Sequence, residues 1–288
     1  MNQIQWFPGH MAKAKREAKE KLNLVDLVIE LTDARIPESS RNPVITEIIN
    51  QKPSILALNK ADLADPNLTK HWIQHYQEQG QIALAIDAQH QLGLNELKKA
   101  CKDLMVDFFA KQKAKGVKPR AIRLMILGIP NVGKSTLINR FVGKNQAQTG
   151  NKPGVTKAQR WLKIGKEFEL LDTPGILWPK FEDPLTGYHL ALTGAIKDQL
   201  VEMQELSLVL IGHLEQFYPG LLKEFYHLED YHQEMAAAEI LTSLTQTLKL
   251  DQDYTQAAER LIFDFRQHKL GSITLDRPIE RVNIETNH

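Results

Sequence analysis

Gly128-Ile129-Pro130-Asn131-Val132-Gly133-Lys134-Ser135 has the spacing of a phosphate-binding loop, and Asn59-Lys60-Ala61-Asp62, a guanine-reading tetrapeptide, stands about seventy residues before it. In ordinary guanine-nucleotide-binding domains the phosphate loop comes first. The inverted order predicts a circularly permuted domain that takes GTP and GDP and hydrolyses the former.

The flanks of the loop agree with this reading. Ala121 to Leu127 reads as a short buried strand, and Ser135 to Phe141 as the first turns of a helix. Gly128 and Gly133 permit the tight path between them. Backbone N–H groups from Asn131, Val132, Gly133, Lys134, Ser135 and Thr136 then face the phosphates at a helix N-terminus, and Lys134 neutralises the β- and γ-oxygens. The Ser135 hydroxyl is a candidate Mg²⁺ ligand. Asp172-Thr173-Pro174-Gly175 ends the apolar run Phe168 to Leu171, which lets Asp172 reach Mg²⁺ through water and the Gly175 N–H meet a γ-phosphate. Thr156, in Pro153-Gly154-Val155-Thr156, is a candidate second hydroxyl for the metal. Either tetrapeptide alone is an ordinary turn sequence; only beside the loop do they form a constellation.

Asn59-Lys60-Ala61-Asp62 follows Ile55 to Leu58, an apolar run opened by Pro53. Taken alone it also reads as a helix-capping turn. At a strand end beside a phosphate loop, the Asp62 carboxylate is suited to accept from guanine N1–H and the exocyclic amine, groups that adenine lacks. A further base-contacting loop is expected after the strand Ile82 to Ile86. It places Asp87 and Ala88 beside guanine O6, although Asp87 departs from the usual Ser-Ala pair.

The first 180 residues alternate strand and helix, opening with a strand at Val25 to Leu31 and including a long helix from Leu94 to about Lys115. The pattern predicts an α/β fold with a mostly parallel sheet, helices on both faces and ligand at the strand C-termini. Lys115 to Pro119 reads as the joint between the permuted halves. From about Lys180 the periodicity is helical. Leu206, Val209, Leu210, His213, Leu214 and Phe217 form one stripe, Ile240, Leu241, Leu244 and Leu248 a second, and Ala257, Ala258, Leu261, Ile262 and Phe265 a third, with Gly271 as a C-cap. The expected division is therefore a permuted nucleotide-binding domain over 1–180 and a small all-α domain over 181–288.

Hydrophobic residues make up 42% and charged residues 25%, and no apolar run approaches membrane-spanning length. The opening MNQIQWFPGHMAKAKR has no apolar core of a secretory signal. A cytoplasmic, monomeric protein without a membrane partner is expected. The single Cys101 leaves no internal disulfide and reads as core packing. A net charge of +1 conceals +11 over residues 1–180 and −10 over 181–288. Nine basic residues against two acidic lie between Lys98 and Arg123, a pattern that fits nucleic-acid phosphate or simply a solvated helix face.

With Asp33-Ala34-Arg35-Ile36-Pro37 after the first strand, the opening Trp6-Phe7-Pro8-Gly9-His10-Met11 and the Gly-Ile-Pro-Asn form of the phosphate loop, the chain resembles the ribosome biogenesis GTPase A family. These YlqF-type bacterial GTPases match it over essentially its whole length. The resemblance implies a partner in the precursor of the large (50S) ribosomal subunit, its rRNA and ribosomal proteins, at a late assembly stage. It also bears on catalysis. Ras-type enzymes carry a glutamine after Asp-x-x-Gly to orient the attacking water, and here Ile176 stands there. The resemblance points instead to His10 as a catalytic group, alongside Lys134. It also points to Asn131 as a residue that helps hold K⁺ against the phosphates. The alternative is a GTP-gated binding switch for a protein or membrane partner, which the acidic tail fits slightly better.

Overall fold

The computed structural model describes Arg16, Lys19, Glu20 and residues 22–49, 52–118, 120–143, 160–172 and 183–278. Within these, six strands form one sheet: β1 (Leu27–Asp33), β2 (Ser54–Asn59), β3 (Ile82–Ala85), β4 (Ile122–Gly128), β5 (Arg160–Ile164) and β6 (Phe168–Asp172). Their order is β3-β2-β1-β4-β6-β5, parallel throughout except that β5 runs antiparallel to β6 at the edge.

β1 is buried along its whole length, and β4 is buried at all positions but Arg123. Such near-continuous burial belongs to central parallel strands covered on both faces. Four helices accompany the sheet: α1 (Pro43–Ile49), α2 (Pro66–Glu78), α3 (Leu94–Ala114) and α4 (Lys134–Val142). The 3.6-residue period of α3 buries Leu94, Leu97, Cys101 and Met105 and leaves Lys99, Lys102 and Lys113 exposed. Burial pushes the Cys101 thiol up to about 12, the behaviour of an inert packing residue. On the opposite face, α1 packs Ile45, Ile48 and Ile49 against Val28, Met125 and Leu171.

Chain order runs outward from β1 to β3 in one direction and from β4 to β6 in the other. The crevice outside the strand C-termini at this reversal is the ligand position of open α/β sheets. Register brings the motif ends level there, since Asp33 pairs with Asn59 and Leu31 with Gly128.

Five helices follow: α5 (Pro184–Leu192), α6 (Met203–Phe217), α7 (Leu221–Tyr226), α8 (Ala237–Thr247) and α9 (Tyr254–Arg266). One continuous cluster of buried side chains joins them to the α3 face of the sheet. Residues 273–276 then return as a strap over the loop after β1. Leu275 N–H donates to the Arg35 carbonyl oxygen at 2.7 Å, and Ile273 N–H to that of Leu63 at 3.2 Å. The buried Asp276 carboxylate accepts from the Glu38 N–H (2.8 Å), the Ser39 N–H (2.6 Å) and the Ser39 hydroxyl (2.6 Å), and His189 Nδ1 lies 2.7 Å away.

Several expectations shift. The first strand begins at Leu27 and runs to Asp33 rather than from Val25 to Leu31. The buried face of α6 is Leu206, Ser207, Leu210, Ile211 and Leu214, while Phe217 is exposed and Val209 and His213 are half-buried. The buried face shares Leu206, Leu210 and Leu214 with the expected stripe and turns from Val209, His213 and Phe217 towards Ser207 and Ile211; Ser207 is buried despite its hydroxyl because it donates back to the Gln204 carbonyl oxygen. Gly271 is not the C-cap of α9: the helix stops at Arg266 with Gln267 capping, and Gly271 (φ 88°) serves a later turn. No helix among the described residues is long and apolar enough to cross a membrane.

Candidate guanine-nucleotide site

β4 delivers the phosphate loop, and α4 receives it. Gly133, the N-cap of α4, has φ 96° and contributes no side-chain cap, so the first-turn N–H groups remain directed at whatever sits before the helix. A Cβ on Gly133 would stand 2.2 Å from Asn59 Nδ2, and one on Gly128 would stand 2.7 Å from the Leu31 carbonyl oxygen. Both positions therefore require glycine, the first through its backbone angle as well. Lys134 is buried at the first position of the helix, and Ser135 and Thr136 are half-buried beside it. Glycine at the points of closest approach, a helix N-terminus without a side-chain cap and a lysine at its start fit a polyphosphate with its Mg²⁺.

The guanine tetrapeptide is tied to this loop by two side chains. Asn59, buried, donates from Nδ2 to the Val132 carbonyl oxygen at 2.8 Å and accepts the Ala88 N–H on Oδ1 at 3.0 Å. It thus joins the phosphate loop, its own strand end and the loop after β3. The Ala88 N–H, expected to face guanine O6, is engaged with Asn59. Lys60 adopts the left-handed region (φ 60°), and its Nζ donates to the Asn131 carbonyl oxygen at 2.7 Å and lies 3.0 Å from Asp33 Oδ2. Burial lowers the Lys60 pKa, and the neighbouring Asp33 offsets only part of that. Burial also opposes ionisation of Asp33, but Arg35 and Lys60 outweigh it and hold that carboxyl well below the usual carboxylate range. Arg35 contributes two side-chain bonds to Asp33, of 2.9 and 2.7 Å. Asp33-Ala34-Arg35-Ile36-Pro37 thereby gains a physical role. Asp33 anchors the lysine that supports the phosphate loop, and the Arg35 carbonyl oxygen anchors the C-terminal strap.

A cleft of about 760 Å³ opens beside these residues. Lys60, Asn131, Gly133 and Thr136 line one wall, and Gly194, Lys197 and Arg266 from the helical region line the other. Asn131 Nδ2 donates across it to the Gly194 carbonyl oxygen at 3.2 Å. Asp62, at 29% side-chain exposure, stands with its Oδ2 3.8 Å from His90 Nδ1. β6 ends at Asp172, and Leu171 pairs with Met125 of the phosphate-loop strand, which puts the Asp172 backbone at the level of the crevice. His10, Thr156, Gly175 and Ile176 lie outside the described residues.

Three participants were not read from the sequence. Asp33 entered only as part of the family motif, although an Asp at a strand end four residues before a proline was a usable signal. His90 is drawn in by a turn whose closure was not foreseen. Gly194 reaches the site only through the packing of α5.

The sequence profile of the family described as 50S ribosome-binding GTPase matches residues 123–239. Ribosome biogenesis GTPase A of Bacillus licheniformis is 53% identical over 278 residues, covering 96% of this chain and 98% of the relative. The protein of the same name from Bacillus cereus is 51% identical over 282 residues, covering 96% and 95%. Among solved structures, GNP-bound YlqF from T. maritima is similar at a TM-score of 0.61 and 25% identity, covering 93% of this chain and 99% of that one. With the phosphate loop and the guanine tetrapeptide joined at the reversal point of a permuted sheet, and with this identity along nearly its whole length, the chain belongs to the ribosome biogenesis GTPase A family of GTP hydrolases.

Proposed function

We propose that the chain hydrolyses GTP to GDP during late assembly of the large ribosomal subunit, binding the immature 50S particle through its rRNA. The observation that carries the nucleotide part is Asn59, whose one side chain couples the phosphate loop to both base loops. Lys134 and the first-turn N–H groups of α4 hold the phosphates, and Asp62 reads the base. Ser135, Thr156 and, through water, Asp172 would hold Mg²⁺, which would supply positive charge at the phosphates. Asn131 adds a ligand for K⁺. His10 takes the water-positioning role that Ile176 cannot fill.

The RNA part is supported by a basic surface at the end of the sheet opposite the crevice. There the exposed Lys111, Lys113, Lys115 and Lys118 lead from the end of α3 towards Arg120, and Lys163 and Lys166 flank the β5–β6 turn. Further along β5, towards its crevice end, Trp161 is 40% exposed with the Arg123 guanidinium 5.3 Å from its ring centroid, a flat surface on which a base can stack. Binding to large-subunit precursors should weaken by about tenfold or more between about 50 and 200 mM salt. Co-sedimentation through sucrose gradients at both salts measures it. Salt-insensitive capture would instead favour the GTP-gated switch on a protein partner, the reading suggested by the net charge of −10 over residues 181–288.

His10→Ala should leave GTP affinity intact while slowing particle-stimulated turnover by about 10²-fold or more. The variant should remain on the particle with GTP bound. A parallel fall in affinity would assign the Trp6 to His10 segment to packing, and unchanged turnover would place the catalytic group on the particle.

A further inference from the structure

Asp87 occupies the place where the usual base loop has serine, and it is buried. Its Oδ1 accepts the His90 N–H at 3.0 Å, and its Oδ2 lies 2.6 Å from His90 Nδ1. A carboxylate can only accept, so this ring nitrogen carries the proton. The same Nδ1 stands 3.8 Å from Asp62 Oδ2, and one ligand atom from each of the three side chains lies within 4.8 Å of the others. Two carboxylates at this separation repel each other, more strongly where one is out of water. The one Nδ1 proton is donated to Asp87, so Asp62, 3.8 Å from the same nitrogen, faces a carboxylate whose charge is already engaged by a hydrogen bond.

The ring is placed by the turn rather than by Asp62. Asp87 and Leu92 exchange two backbone hydrogen bonds of 3.0 Å, which close the turn, and Gln91 inside it takes the left-handed region at φ 65°. Arg140 Nη2 donates to the Gln89 carbonyl oxygen at 3.0 Å, fastening the turn to α4. The ring itself is 65% exposed, so core packing does not explain its orientation.

We propose that His90 is a positioning residue for base recognition: by donating to Asp87 it offsets the repulsion between Asp87 and Asp62 and leaves the Asp62 carboxylate in the orientation that accepts from guanine N1–H and the exocyclic amine together. This rests on the reading of Asp62 as the guanine acceptor. Two-point acceptance depends on carboxylate orientation, whereas acceptance from N1–H alone tolerates rotation. His90 therefore governs discrimination between guanine and hypoxanthine, which keeps N1–H and lacks the amine.

The test is calorimetric titration of the full chain with GDP and with IDP, using wild type, His90→Ala, the double variant His90→Ala/Asp87→Asn, and Asp62→Asn. His90→Ala should weaken GDP about tenfold, the scale of one charge-assisted hydrogen bond, and IDP much less, so that the GDP/IDP affinity ratio falls. Removing the second carboxylate should restore the ratio in the double variant, because the repulsion that His90 offsets is then gone. The proposal is overturned if His90→Ala keeps the wild-type ratio, or if both nucleotides weaken equally without recovery in the double variant. Retained IDP binding in His90→Ala certifies that the site is folded. Asp62→Asn separates the two claims. An unchanged ratio there removes the guanine reading of Asp62 itself, whereas a lost ratio there with none lost in His90→Ala removes only the role of His90.

Discussion

Asp62→Asn should lose GTP by roughly 10⁴-fold, the scale on which a site built around specific hydrogen bonds rejects a mismatched partner. An amide offers one acceptor and one donor edge where the carboxylate offers two acceptors. Guanine N1–H or its amine would then meet an N–H, and a polar group at a half-buried position would be left unpaired. Xanthosine triphosphate, which has a carbonyl oxygen in place of the amine, presents the complementary pattern and should bind the variant better than GTP does. Competition of GTP and XTP for wild type and variant measures both changes. Wild-type GTP affinity in Asp62→Asn would overturn the base assignment, and with it the inference of permutation drawn from motif order.

Lys134→Ala and Ser135→Ala should each abolish multiple-turnover hydrolysis, for different reasons. Lys134 is 7% exposed at the first position of α4, so its removal takes a buried positive charge from beside the phosphates where no solvent replaces it. Ser135→Ala should spare much of the nucleotide affinity and lose Mg²⁺-dependent turnover, which titration with Mg²⁺ separates from binding. Substantial turnover at ordinary Mg²⁺ would remove Ser135 from the metal site. Rates measured with Na⁺ in place of K⁺ address Asn131 in the same assay, and equal rates would eliminate the cation. The amide of Asn131 already donates to the Gly194 carbonyl oxygen, leaving its Oδ1 as the atom suited to a cation.

Read from sequence alone, the phosphate loop was legible because every requirement on it is local. Two glycines, a lysine and a hydroxyl act within eight residues directly after a buried strand, and the structure places them at the junction of β4 and α4. The same holds for α3, expected from Leu94 to about Lys115 and found over Leu94–Ala114. The face of α6 was legible at Leu206, Leu210 and Leu214 and not beyond them, because a serine that satisfies its hydroxyl on its own helix does not register as apolar, and because Phe217 lies exposed at the helix end beside the cation of Arg277 rather than in the core. Gly271 was taken for a cap because glycine after a helical run carries no information on how many turns intervene.

The sequence by itself determined the chemistry of the ligand, the permuted order of its motifs and the α/β class, since each follows from residue type and short-range spacing. Only the tertiary structure decided which side chains work together. Asn59 meets Val132 and Ala88, Lys60 meets Asn131 and Asp33, Asn131 meets Gly194, and Asp276 meets Ser39 and His189. Most of these pairs are separated by tens to hundreds of residues and are set by strand register and helix docking. Their distances depend on the packing of the whole core, which no local pattern encodes. The approach of the Asp87–His90 pair to Asp62 has the same origin: its turn is local, but Asp62 arrives from the end of another strand.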